Sequence, residues 1–259
     1  MTVSTFYQTV VATGLGSLLA WNLGAIPSLA NAAHQSNDSP IQGLPGRRLG
    51  GGTRGGGSVA PPSMNQMPLT ALMPETNLGV TTAAHPCFLF YLPNAENVRE
   101  VEYVLRNEAD ELVYETTVAV ASDSGIFSID LASVEGLAPL TIDENYHWYF
   151  SIVAEDRAYD VSVDGWTRRV NLETWLAGRD STSDLASKLG TAAPLEKARL
   201  LYQEAYLWHD AALILEELYQ ANPQDEAVAT EWASLLAAVN LPNLTSASTV
   251  RLSAMAIFN

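Results

Sequence analysis

Tyr146-His147-Trp148-Tyr149-Phe150-Ser151-Ile152-Val153-Ala154 decides the fold class. Tyr146, Trp148, Phe150, Ile152 and Ala154 form an apolar row at every second residue. That is the period of a strand, not a helix, and it predicts one face turned into a core. Upstream, Cys87–Leu92 is a dense apolar run closed by Pro93-Asn94. Val98–Leu105 alternates again, with Val101, Tyr103 and Leu105 opposite Glu100 and Glu102. Asn107–Asp110 turns the chain, and Leu112–Ala121 returns, which predicts an antiparallel hairpin. Phe127, Ile129 and Leu131 make a further alternating run. Downstream, Tyr159–Val163 and Trp166–Val170 flank Asp164-Gly165, a dipeptide that signals a hairpin turn.

Short strands at this spacing predict an all-β sandwich of two antiparallel sheets over residues 81–171. The run Leu137-Ala138-Pro139-Leu140 into Tyr146-His147-Trp148 resembles the approach to a central strand in immunoglobulin-like or fibronectin-like domains. The disulfide of antibody domains is absent. Cys87 is the only cysteine, and its apolar run predicts a buried small hydrophobe. The core is expected to include Cys87, Tyr103, Trp148, Phe150, Trp166, Trp208 and Trp232.

Residues 172–259 read as a small α-helical domain. Leu172–Leu176 and Asp180–Leu189 predict short helices. Pro194 suits the first turn of the next helix, where a missing N–H costs nothing. The helical segment Pro194–Asn222 divides near Leu207–Asp210, and Glu226–Val239 predicts a third long helix. Trp208, Ala211, Leu215, Leu218 and Pro223 are spaced as in one tetratricopeptide repeat, which this hairpin resembles.

The first residues differ in kind. Met1–Asn22 carries no charged side chain, and Val10–Leu23 is mostly apolar. Ser28-Leu29-Ala30 and Ala30-Asn31-Ala32 both fit a small-x-small cleavage pattern, so residues 1–32 read as a secretory signal cut after Ala30 or Ala32. The expected location is the periplasm or the extracellular space, with no membrane span after cleavage. Residues 33–80 read as a flexible linker. Its segment 43–57, Gly-Leu-Pro-Gly-Arg-Arg-Leu-Gly-Gly-Gly-Thr-Arg-Gly-Gly-Gly, is dominated by glycine. Glycine loses much entropy on ordering and offers no side chain to bury. Arg47, Arg48 and Arg54 could bond a partner's carboxylates or phosphates, or fold back onto the protein's own acidic body.

The chain has 29 acids against 13 Lys and Arg, a formal charge of −16. Asp38 is the only acid before Met64, so the remainder is more acidic still. Such a body repels nucleic acid and anionic membrane and favours cationic partners.

Candidate chemistry is sparse. No Gly-x-Ser-x-Gly and no His-Glu-x-x-His occur, and the glycine segment lacks the Lys-Ser/Thr of a phosphate loop. His85, His147 and His209 fall in separate elements, and no cofactor or metal is expected. Asp156, Asp160 and Asp164 recur at turns and read as solvated acids. His147 reads as a plain strand residue and His209 as a helix cap.

The opening Gly43–Gly55 run, Val163-Asp164-Gly165-Trp166-Thr167-Arg168-Arg169-Val170, Pro194-Leu195-Glu196-Lys197-Ala198 and Trp208-His209-Asp210-Ala211 together resemble an exported cyanobacterial family known as domain of unknown function 928 (DUF928). The resemblance implies an exported cyanobacterial protein and supplies no catalytic residue, substrate or cofactor. The expectation is a non-enzymatic protein-binding or scaffold module with a protein partner in the cell envelope. The alternative is a polysaccharide-binding protein, or a glycan hydrolase using paired carboxylates, with Trp148, Trp166 or Trp175 as sugar platforms.

Overall fold

The structure, a computed structural model, describes residues 42–50, 67–93, 100–120, 125–177, 182–245, 247 and 249–252. Contacts divide the chain into two units, Met1–Asp38 and Ser39–Asn259. The expected signal segment and Arg54 lie outside the described residues.

Nine strands and five α-helices are described. They are β1 (Thr70–Ala71), β2 (Leu78–Thr81), β3 (Cys87–Leu92), β4 (Glu100–Arg106), β5 (Leu112–Ala119), β6 (Gly125–Asp130), β7 (Asn145–Val153) and β8 (Val161–Arg169). The helices α1 (Leu172–Ala177), α2 (Thr182–Thr191), α3 (Pro194–Gln203), α4 (Trp208–Ala221) and α5 (Glu226–Ala238) follow, and β9 (Thr249–Leu252) comes last. One sheet has the order β1-β3-β6-β9 and the other β2-β8-β7-β4-β5. A β-rich region is thus followed by a helical one.

The alternating rows face inward as their period requires. Tyr146, Trp148 and Phe150 of β7 are buried, as are Val101, Tyr103 and Leu105 of β4. Phe90 of β3 stacks on Phe150 across the sheets, with centroids 4.0 Å apart and planes 5° from parallel. Burying aromatic side chains of this size is the largest favourable contribution to such a core, about 2–3 kcal/mol each.

Three features differ from the sequence-based expectation. First, both sheets end in a parallel pair: β2 with β8 and β9 with β6. The two edge strands come from segments read as linker and as helical domain, and no turn chemistry announces a parallel partner far along the chain.

Second, β8 runs unbroken through Asp164-Gly165, where a turn was expected. Gly165 lies opposite Trp148 in the register. A β-carbon there would overlap the Trp148 ring and stand 2.9 Å from Met73 Sδ. The glycine serves close packing, the other reason for glycine in a strand.

Third, the described start of the glycine-arginine segment is strapped to the sheets. Leu44 N donates to Thr76 O (2.9 Å), and Arg47 exchanges backbone bonds with Asp164 (3.1 and 2.9 Å). Gly50 N donates to Leu69 O (2.7 Å), and Trp166 Nε1 donates to Pro45 O (2.7 Å).

Helix α4 fastens the helices to the strands through its first turn. Trp208 Nε1 donates to Leu72 O (2.9 Å), and the His209 ring meets Phe88 edge-on at 4.9 Å. The helix hairpin divides just before α4, at Glu204–Leu207, where Tyr206 takes φ +57°. Asp225 caps α5, accepting from Ala227 N (2.9 Å) and Val228 N (3.3 Å). Beneath the helices, Glu231 is buried and accepts from Arg199 Nε (2.8 Å) and Tyr202 OH (2.7 Å), tying α3 to α5.

Candidate functional site

The end of β2, the connection into β3 and helices α1 to α4 enclose a cavity of about 350 Å³. Its walls are mainly apolar, with Pro86, Leu189, Leu201, Leu213 and Ile214 among them. Asp210 and His209 reach it from the first turn of α4. Asp210 takes two bonds from Thr82 N (3.2 and 3.0 Å) and one from the Thr82 hydroxyl. Burial nevertheless raises its pKa above the usual carboxylate value, against the lowering effect of these bonds.

His209 is the deeper of the two. Its ring bonds to the Cys87 backbone, and its Nε2 has no hydrogen-bond partner. Burial pulls its pKa down to about 4, so the ring is neutral near pH 7. Gly79 of β2 makes room for it, because a β-carbon there would overlap Nε2. The helix-cap reading of His209 is therefore replaced by a core histidine.

Gly190 stands at the cavity wall on α2. A β-carbon at this position would meet nothing within 4 Å. Glycine in a helix costs about 1 kcal/mol relative to alanine, and no crowding here demands it. The space beside it, next to the exposed Ala186, is open.

A second cluster lies on the outward face of the five-stranded sheet. His147 Nε2 and Asp164 Oδ2 are 2.9 Å apart, and the Tyr149 hydroxyl lies 2.9 Å from His147 Nδ1. The His147 ring stacks on Trp166 at 4.1 Å. His147 is thus tied to Asp164 and Trp166 on the neighbouring β8 and to Tyr149 on its own strand, rather than being a plain strand residue. Burial and Asp164 raise the Tyr149 pKa, which works against a phenolate nucleophile.

The arginines divide. Arg47 is exposed and held by its backbone. Arg48 turns inward: its guanidinium donates to Met73 O (3.0 Å) and Val239 O (2.6 Å) and lies 3.5 Å from Glu75. Its hydrogen-bonding capacity is largely spent within the chain. Cys87, Tyr103, Trp148, Phe150, Trp208 and Trp232 are buried, whereas Trp166 lies half-buried under the His147 ring. Trp148 offers no surface, and Trp175 is half-buried, donating from Nε1 to Ala205 O (2.8 Å). No group of three or more metal-ligating side chains occurs among the described residues.

The family profile described as Domain of Unknown Function (DUF928) matches residues 49–249. The chain belongs to the DUF928 family. The DUF928 match takes in β1 to α5 and ends at Thr249, the first residue of β9. It starts at Leu49, inside the glycine-arginine run. No curated protein matches the chain. No helix among the described residues is long and apolar enough to cross a membrane.

The cavity residues were hard to find in the sequence. His209 and Asp210 sit at a helix start, where polar residues are ordinary. Gly190 was the available signal, a glycine near the end of an amphipathic segment.

Proposed function

We propose that this DUF928 protein is a non-enzymatic binding module of the cell envelope, exported by its N-terminal segment. Its cavity takes an apolar side chain from a protein partner. The two sheets act as an immunoglobulin-like scaffold, and α3 with α4 as a tetratricopeptide-like hairpin that presents the cavity.

The open cavity beside Gly190 carries this reading. About 350 Å³ lies within the usual range of binding pockets, and its apolar walls favour an apolar anchor. The helices around it expose Glu173, Asp184, Glu196 and Glu204; Lys188 pairs with Asp184 and Arg199 with Glu196, and Lys197 stands on the cavity wall. With a body of net negative charge, the fitting partner is a segment with an apolar anchor and basic flanks. Among the described residues Asp210 is the only carboxylate on the cavity wall, whereas glycan hydrolysis needs two flanking the scissile bond.

A photo-crosslinking side chain at Ala186 tests the site, with one at Glu155 in the β7–β8 connection as control. The expected result is one envelope protein captured from Ala186 and not from Glu155, and lost when Gly190→Trp fills the opening. Capture that persists in a folded Gly190→Trp variant, or that is equal from both positions, would overturn the reading.

A further inference from the structure

Among the described strands, β9 is the outer edge of its sheet and β6 is its only neighbour. The pairing is parallel, Ile126 with Thr249 through Ile129 with Leu252. Parallel pairs are slightly weaker per residue than antiparallel ones, and this one is four residues long. Under it, β6 is buried from Gly125 to Ile129. Without β9, those residues would form a sheet edge with unpaired N–H and C=O groups, a template for another strand. The family match covers all of β6 and stops at the first residue of β9. The acceptor therefore belongs to the shared DUF928 fold, and the strand seated on it lies almost wholly beyond the match.

We propose that the β6 edge is an exchangeable strand site, which a second copy of this chain can fill with its own Thr249–Leu252. Three observations favour a second copy as occupant. The segment 249–252 already shows the register that fits β6. A second copy supplies the same register with no new contact, so the exchange is nearly neutral in energy apart from the link. That link is short: Leu244 and Ala247 are buried, and Thr249 begins the strand. Short hinge connections are the kind that invite exchange of an end element. The inference is independent of the cavity and stands or falls separately from the binding reading.

The test places cysteines at two register partners, Ser128 and Arg251. Adjacent strands lie about 4.8 Å apart, within reach of a disulfide. Cys87 is buried and stays as it is. The double variant, Ser128→Cys with Arg251→Cys in one chain, is expected to oxidise within the monomer. The two single variants, carrying tags of different size, are then mixed, loosened in mild denaturant, returned to native buffer at rising concentration and oxidised. A disulfide between differently tagged chains, increasing with concentration, is expected. Its absence while the double variant closes within one chain would overturn the exchange. Failure of the double variant to close, with folding confirmed by circular dichroism, would overturn the placement of β9 and the proposal with it.

Discussion

His209 and Gly79 share one space. A β-carbon on residue 79 would overlap the imidazole Nε2, so β2 can pass under α4 only as glycine. Gly79→Ala is expected to destabilise the fold by about 1–3 kcal/mol through overpacking. Urea unfolding checks this. An unchanged midpoint would mean that α4 is not seated on β2.

The same histidine sets an acid limit. Burial lowers its pKa from 6.5 to about 4 in the fold. Below about pH 6.5 the unfolded chain takes up a proton that the folded chain refuses until about pH 4. The stability from the neutral ring is complete above that window and is lost as pH falls through it, on the order of 3 kcal/mol. Asp210 acts in the opposite sense. Its raised pKa means the fold holds that proton more tightly, which favours the fold at low pH. Urea midpoints across the window should fall for the natural chain and stay nearly flat for His209→Gln.

Arg48 and Arg47 are adjacent but unequal. Arg48→Ala leaves the carbonyls of Met73 and Val239 without their donor, and an expected loss of about 2–3 kcal/mol follows. Arg47→Ala keeps its backbone bonds to Asp164 and should change stability by less than about 0.5 kcal/mol. Equal effects in paired denaturation curves would contradict the inward placement of Arg48.

Gly165 separates a packing role from a turn role. In an Asp-Gly hairpin, asparagine would be tolerated at the second position. Under Trp148 it would not, because any β-carbon overlaps the ring. Gly165→Asn is expected to cost more than about 2 kcal/mol and to shift the Trp fluorescence. A near-neutral substitution would restore the turn.

Much of the fold was legible because periodicity is local. Tyr103 and Phe150 announced their strands, and Pro194 and Trp232 fell in the helices expected. The unreadable parts depend on partners distant in sequence. Gly165 looked like a turn because nothing near it names Trp148. Leu78–Thr81 is a short apolar piece that suits an edge contact or a first strand, but nothing in it names Trp166–Arg169 as its partner. Arg48 was open to either a partner or a fold back onto the acidic body; it folds back, and the carbonyl of Val239 that holds it carries no side-chain signature. Asp210 carries no sequence signal of its role, because Thr82, which bonds it, lies 128 residues away.

The bond from Arg48 to the Val239 carbonyl spans 191 residues. A chain that emerges from its N-terminus holds β3, β4 and β5 long before that carbonyl exists. The parallel pairings of β2 with β8 and of β6 with β9 are likewise late, because each waits for a strand far downstream. Contacts of such separation slow folding, since loop entropy is lost before they form. The closing of this molecule is therefore a terminal event: a chain stopped short of Val239 holds every strand of the five-stranded sheet, but lacks β9 on the other sheet and the carbonyl that fixes Arg48.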